Sequence, residues 1–237
     1  NGENSITGTA TAVIGRLNVC SGTSANYEVA LPAVSGNSGK YIGFRMAAGL
    51  TKLVTLNADG TETIDESLTR VMHAKETALL YCDGTTWTKM AGKTIPMIGG
   101  YYLSTNMTGF GAGTETLFSP VTTSIDNTGL MVNTSTKEIT CQRSGKYTIN
   151  LNSVWNIGST ATALVYLAAK EGSNYICAAY NNGGVTITNS VASAGGTFAL
   201  TAAQVFKLYA ATATGTNVDL IAGAHSTYMH ITEIPAW

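Results

Sequence analysis

The chain has 237 residues, 44% of them hydrophobic and only 11% charged, with a formal net charge of -1. A charged share well under the usual figure of about 25% argues against a disordered polyelectrolyte. The lack of any basic run argues against nucleic-acid binding, which needs clustered Lys or Arg to neutralise phosphates.

Twenty-six Gly residues, abundant Thr, Ser, Asn and Ala, and no Leu-rich heptads predict many short strands joined by tight turns, an all-β chain. The first runs are YEVALPAV, KYIGFRM, KLVTLNADG, ETIDESLTRV, ALLYCDG and TTWTKMA. At Asp59-Gly60 and Asp83-Gly84, an Asp-Gly pair stands between extended runs, where a hairpin or bulge needs positive φ. Leu31, Pro32, Ser35, Gly36 and Gly39 come first, then Val54, Gly60, Thr63, Ile64 and Asp65, then Asp83, Gly84 and Trp87. In that order they resemble a module of phage tail-fibre and other virion-fibre proteins. The resemblance covers about the first third of the chain and implies a small β-sandwich that connects or attaches within a virus particle.

The stretch AGKTIPMIGG, residues 91–100, is broken by Gly92, Pro96, Gly99 and Gly100 and marks a boundary. Eight basic and eight acidic residues fall in 1–93, leaving five and six for 94–237, and none lies between Glu171 and Lys207. The chain is divided accordingly: 1–92, a β-rich connector or attachment module; 93–104, a linker and entry strand; 105–237, a terminal domain.

Further runs follow: GGYYLST, TLFSPVTTSI, LMVNTSTKEITC, GKYTINLNSVW, TALVYLAAKE, NYICAAYN, GTFALTAAQVFKLYAATAT, VDLIAG and TYMHITEI. About eight strands separated by Gly or Asn predict a jelly-roll sandwich. Tyr101 and Tyr102 open it, Phe118 precedes VTTSIDNTGLMVN, and CQRSGKYTINLNSVW supplies a Gly-x-Tyr-x-hydrophobic strand. FALTAAQVFKLYA and STYMHITEI complete a pattern that resembles the C1q and tumour-necrosis-factor-like domain, with Ala203 and Gln204 in place of that family's usual Gly-Asp. The resemblance implies a homotrimer in which each protomer buries one sheet face around a threefold axis.

Within CQRSGKYTINLNSVW, residues 141–155, Tyr147, Ile149, Leu151 and Trp155 share one face. Gln142, Ser144, Lys146, Thr148, Asn150 and Asn152 share the other. A water-facing strand usually carries Lys and Glu, and here only Lys146 does. Threefold symmetry would bring like charges together in a desolvated interface, so a neutral face suits self-contact.

No reaction is expected of the chain. His73, His225 and His230 lie far apart, and no G-x-S-x-G occurs. Asp65 and Glu66 are adjacent, whereas glycosidase carboxylates face each other about 5–10 Å apart. A depolymerase whose acids converge from different chains stays open at this level. Cys20, Cys82, Cys141 and Cys177 show neither a C-x-x-C pair nor a His at ligand spacing, and they read as free thiols. DNTG at 126–129 and NVD at 217–219 read as turns, not calcium loops, so no metal and no cofactor are expected. No apolar stretch approaches the roughly 20 residues of a spanning helix, so membrane insertion is not expected. The chain opens on Asn1 instead of Met, which points to a processed or trimmed product.

Strand parity puts the connections after Trp155, Tyr180 and Tyr209 at one end of the jelly roll. There Asn156, Tyr180, Asn181, Asn182, Asn217 and Asp219 offer an aromatic platform with amides and a carboxylate, chemistry suited to sugar rings. The two resemblances together imply a viral fibre or spike protein of the virion whose trimeric knob attaches to the host surface, recognising a glycan or a protein there. Other virion proteins would engage its N-terminal module. Two alternatives are a capsid or tail decoration protein with structural contacts alone, and a secreted C1q-like recognition protein.

Overall fold

The computed structural model describes residues 2–111, 113–119, 121–123, 131–156, 163–183, 189–212, 218–223 and 226–235. Of these, 122, 123, 163, 181–183, 189 and 190 are described by backbone alone. The described residues form strands and no helix. The chain divides into two units, Asn1–Ile95 and Pro96–Trp237.

In the first unit the strands are β1 (Glu3–Ile6), β2 (Ala10–Thr11), β3 (Leu17–Cys20), β4 (Tyr27–Ala30), β5 (Tyr41–Met46), β6 (Val54–Asn57), β7 (Thr69–Met72), β8 (Thr77–Cys82) and β9 (Trp87–Ala91). They make two sheets, ordered β1-β3-β5-β8-β9 and β2-β4-β6-β7. The runs β1-β3-β5 and β2-β4-β6 are each parallel. Successive strands therefore alternate between the sheets, and each crossover that a parallel pair requires is itself a strand of the facing sheet. Antiparallel β7, β8 and β9 end the coil. Period-2 side chains supply the core: Cys20, Ile42, Phe44 and Leu80 of one sheet meet Val29, Val54, Leu56 and Met72 of the other. Asn18 is fully buried among them. Its amide accepts from Val13 N and Asn4 Nδ2 and donates to Val13 O and Gly43 O, which offsets its desolvation.

The three motif segments converge on Trp87. The indole is wholly buried and donates from Nε1 to Pro32 O at 3.0 Å. Glu62 accepts Val34 N, Thr63 Oγ1 and Thr86 Oγ1 lie 2.8 Å apart, and Ile64 bridges to Trp87. Gly60 and Gly84 have φ of 57° and 100°, the left-handed turn conformations that the Asp-Gly pairs predict. Asp83 Oδ1 accepts from Thr85 N and Thr86 N, and these bonds hold its carboxyl below the usual range. Asp65 and Glu66 also have positive φ, so they form a turn inside the run ETIDESLTRV, of which only the end, from Thr69, is a strand. Asp65 is occupied by Arg70 and Lys89 N.

The second unit contains β10 (Ile98–Leu103), β11 (Met107–Phe110), β12 (Thr116–Leu117), β13 (Val121–Thr123), β14 (Val132–Asn133), β15 (Glu138–Thr140), β16 (Gly145–Asn156), β17 (Ala163–Glu171), β18 (Asn174–Gly183), β19 (Asn189–Leu200), β20 (Val205–Thr212), β21 (Val218–Leu220) and β22 (Tyr228–Ile234). One sheet runs β11-β21-β16-β22-β10-β13, with β19 on the free edge of β16. The other runs β14-β15-β20-β17-β18, with β12 added to β20. Taking the eight principal strands in chain order as β10, β15, β16, β17, β18, β19, β20 and β22, their sheets read first-eighth-third-sixth and second-seventh-fourth-fifth. That is the order produced by rolling up one long antiparallel hairpin, a jelly roll.

Tyr147, Ile149, Leu151 and Trp155 all face the interior, 2% exposed or less. Ser153 shares that face: its Oγ donates to Ala192 O and accepts Trp155 Nε1, so two polar groups are satisfied inside the sandwich. All four cysteines are free and buried, and burial pushes the thiols of Cys20 and Cys141 up to about 11 and about 12.

Candidate functional site

Two surfaces of the second unit carry chemistry. The first is the outer face of β10, β22, β16 and β19. Register aligns it in rows: Tyr102, Tyr228, Asn152 and Ser193; Gly100, His230, Asn150 and Gly195; Ile98, Thr232, Thr148 and Thr197. Among the described residues of these strands, the only Lys, Arg, Asp, Glu or His on that face are Lys146 and His230. Glu233 belongs to the inner face and is 6% exposed. An open groove of about 360 Å³ runs over Asn150, Asn152, Ser193, Gly195 and Tyr228. A Cβ at Gly195 would lie 2.6 Å from Asn150 Oδ1, so a larger residue there would turn the exposed Asn150 side chain aside.

The second surface is the outer face of β17, β18 and β20. Tyr166 pairs with Tyr180 and Ala211, Ala168 with Ala178 and Tyr209, and Lys170 with Tyr175 and Lys207. Tyr166 and Tyr180 have ring centroids 5.4 Å apart. Glu115 reaches this face from the segment before β12. Its Oε1 accepts Tyr166 OH and Tyr175 OH, each at 2.8 Å, and its Oε2 accepts Lys170 Nζ at 2.6 Å. The bond from Lys170 is the largest cause of the lowered Glu115 pKa, and the Lys170 pKa is raised in return. Burial first, and the bond to Glu115 second, raise the Tyr166 pKa. Lys170 Nζ also sits 4.6 Å from the Tyr175 ring centre and 5.6 Å from that of Tyr209.

The ligand set read from sequence is split between the two sheets. Asn156 and Asp219 are opposite neighbours on β16 and β21, where Asp219 Oδ1 accepts Gly109 N. Tyr180 lies in the other sheet, 57% exposed. Asn181 and Asn182 pair with Val165 and Leu164 through the backbone, their side chains lying outside the described residues, as does the whole of Asn217. Register does bring together the strand ends that flank 157–162, 184–188 and 213–217. Asn156 stands beside Asn189 and Asp219, and Val165 stands between Asn181 and Thr212. The expected tip residues within those three connections lie outside the described residues.

Sequence reading missed Glu115, Tyr166, Lys170, Tyr175 and Tyr209. Alternation in ALVYLAAKE places Tyr166, Ala168 and Lys170 together, so that part of the signal was present. Glu115 is 51 residues from Tyr166 and 60 from Tyr175, and no local pattern points to it. Of the histidines, His73 is buried with its Nε2 2.9 Å from Ile95 O, His230 lies on the neutral face, and His225 is outside the described residues. Among the described residues no group of three or more His, Cys, Asp or Glu is placed to hold a metal.

No protein-family model and no curated protein matches the sequence. Solved structures similar to the chain include the Eiger TNF of S. frugiperda, at 8% identity and TM-score 0.46, covering 61% of this chain and 96% of that one. Murine APRIL matches at 9% and 0.45, covering 59% and 100%. The globular domain of zebrafish complement 1qA protein matches at 9% and 0.42, covering 60% and 100%. The strand order, not these low scores, establishes the jelly roll.

Proposed function

We propose that the chain is a fibre- or spike-type structural protein of a virus particle, assembled as a homotrimer through the outer face of β10, β22, β16 and β19, and that it attaches the particle to a host surface. The observation that carries the assembly is the composition of that face. A solvated sheet of four strands with Lys146 and His230 as its only described charged-type side chains is unusual. The same surface pressed against copies of itself avoids like-charge repulsion and leaves amides and hydroxyls able to pair. Tyr102, Tyr228, Ile98 and Val191 add the apolar area that a cyclic interface needs. Threefold order is what the sequence resemblance implies, and the first-third resemblance implies the virion, with the first unit engaging other particle proteins. Three weak sites per trimer would raise avidity by roughly 10² to 10⁴ without a tight individual contact.

Light scattering on the whole chain tests the reading: a mass of three chains is expected at micromolar concentration. A well-folded single chain would remove the basis for multivalent attachment.

A further inference from the structure

The outer face of β17, β18 and β20 is built differently from the neutral face. Exposed tyrosines on a sheet ordinarily keep rotational freedom, and a ligand must then overcome the entropy of ordering them. Here the hydroxyls of Tyr166 and Tyr175 are tied to one carboxylate oxygen of Glu115, and Lys170 holds the other. Tyr180 leans on Tyr166, yet 57% of it stays exposed, as does 51% of Tyr175. Ala168 and Ala211, on the same outer rows, are covered almost completely, so the rings lie down over the sheet. The result is a fixed aromatic surface with polar groups at its centre and edge.

Its charge limits what it can take. Glu115 and Lys170 neutralise each other at 2.6 Å, and the neighbouring Lys207 is matched by Glu138 at 3.2 Å. A carboxylate or phosphate ligand would meet no free cation in this set. An ionised carboxylate accepts about four hydrogen bonds. Glu115 receives three here, and its side chain is 29% exposed, which leaves room for one donor from a ligand. Ring C–H faces stack on tyrosine, and hydroxyl groups donate to carboxylate and phenolic oxygen.

We infer that this face is a binding platform for a neutral saccharide, with one pyranose ring stacked on Tyr180 or Tyr175 and a ring hydroxyl donating to Glu115. Of the ligand set read from sequence, Tyr180 alone takes part. The inference deepens the attachment reading and rests on it for the source of the sugar, a glycan displayed on the host surface. It does not need the trimer.

The test uses the whole chain on an array of oligosaccharides ending in glucose, galactose, mannose or N-acetylglucosamine, beside sialylated and uronate-bearing ones. Binding to at least one neutral terminus is expected, weakened at least about tenfold in Tyr180→Ala or Tyr175→Ala, with a cooperative unfolding transition retained in both. Tyr166→Phe, which keeps the ring and removes its bond to Glu115, is expected to weaken binding about threefold to tenfold. No binding, a preference for anionic termini, or full binding by both alanine variants would each overturn the platform. Solution mass is read on the same samples: a single chain that still binds sugar defeats the assembly and leaves the platform standing, whereas a trimer without sugar binding does the reverse.

Discussion

Arg143 and Glu233, 90 residues apart in the chain, meet at 2.6 Å inside the jelly roll, both nearly buried. Glu233 Oε2 also accepts Met97 N, and Glu233 N donates to Met97 O, so one carboxylate joins the entry of the unit to its closing strand. Removing one partner of a buried pair leaves an uncompensated charge, a loss of about 3–5 kcal/mol, whereas removing both is far milder. Arg143→Met is expected to lower stability in urea by that amount, and adding Glu233→Gln is expected to restore part of it. A single-variant loss below about 1 kcal/mol would mean that solvent already reaches the pair.

The turn between β19 and β20 carries a local strain. Ala203 has φ of 66°, a left-handed conformation that costs an L-residue about 1–2 kcal/mol. It is held by Ala203 N donating to Cys141 O and by Gln204, whose side chain accepts Thr201 N. Ala203→Gly removes the Cβ clash at some cost in unfolded-state entropy, and a net gain of about 0.5–1 kcal/mol is expected. Equilibrium unfolding midpoints of the two proteins check it, and a loss of stability would show that the Cβ is better accommodated than its φ implies.

How far the sequence foretold this molecule depends on the range of the interaction. Period-2 alternation announces β16 and its buried face, and Asp83-Gly84 announces its hairpin, because both are local. The jelly-roll order rests on hydrophobic spacing alone, and it holds here because each principal strand buries one face. The parallel coil of the first unit could not be read, since parallel and antiparallel strands show the same short runs when both sheets are covered on one side. By parity Arg143 falls on the apolar side with Tyr147, and nothing local shows what could hold a cation there: its partner, Glu233, comes from the far end of the chain. The Glu115 cluster is hidden for the same reason: its geometry is set by a segment crossing from before β12.

Acid should loosen that cluster in a defined window. The Glu115 carboxyl titrates below its ordinary value in the folded chain, chiefly because Lys170 donates to it. Its stabilisation is therefore fully present above the unfolded value, about 4.3, and is lost as pH falls through the lower folded value. Glu115→Gln lacks this contribution. Melting temperatures of the two proteins should differ most above the unfolded value and converge as pH falls through the lowered folded value. A difference that grows on acidification would contradict the assigned sign.

Assembly through the neutral face makes the sharpest demand on a single position. Thr148 lies in the row Ile98, Thr232, Thr148 and Thr197, two residues from Lys146 on the same side of β16. Thr148→Lys adds one cation per protomer, and around a threefold axis three of them would be desolvated near three copies of Lys146. With no partner carboxylate on that face among the described residues, the added charge is uncompensated. Association is expected to weaken at least about 100-fold, or roughly 3 kcal/mol, more at low salt than at high salt. Folding of the isolated chain should change by no more than about 0.5 kcal/mol, as for an ordinary surface substitution. Val205→Lys, at an exposed position on the opposite sheet, should leave the mass unchanged. Sedimentation equilibrium of both variants decides the matter: if Thr148→Lys keeps the mass of three chains at low salt, the copies meet through some other surface. The low charge of β16 and its neighbours would then need a different cause.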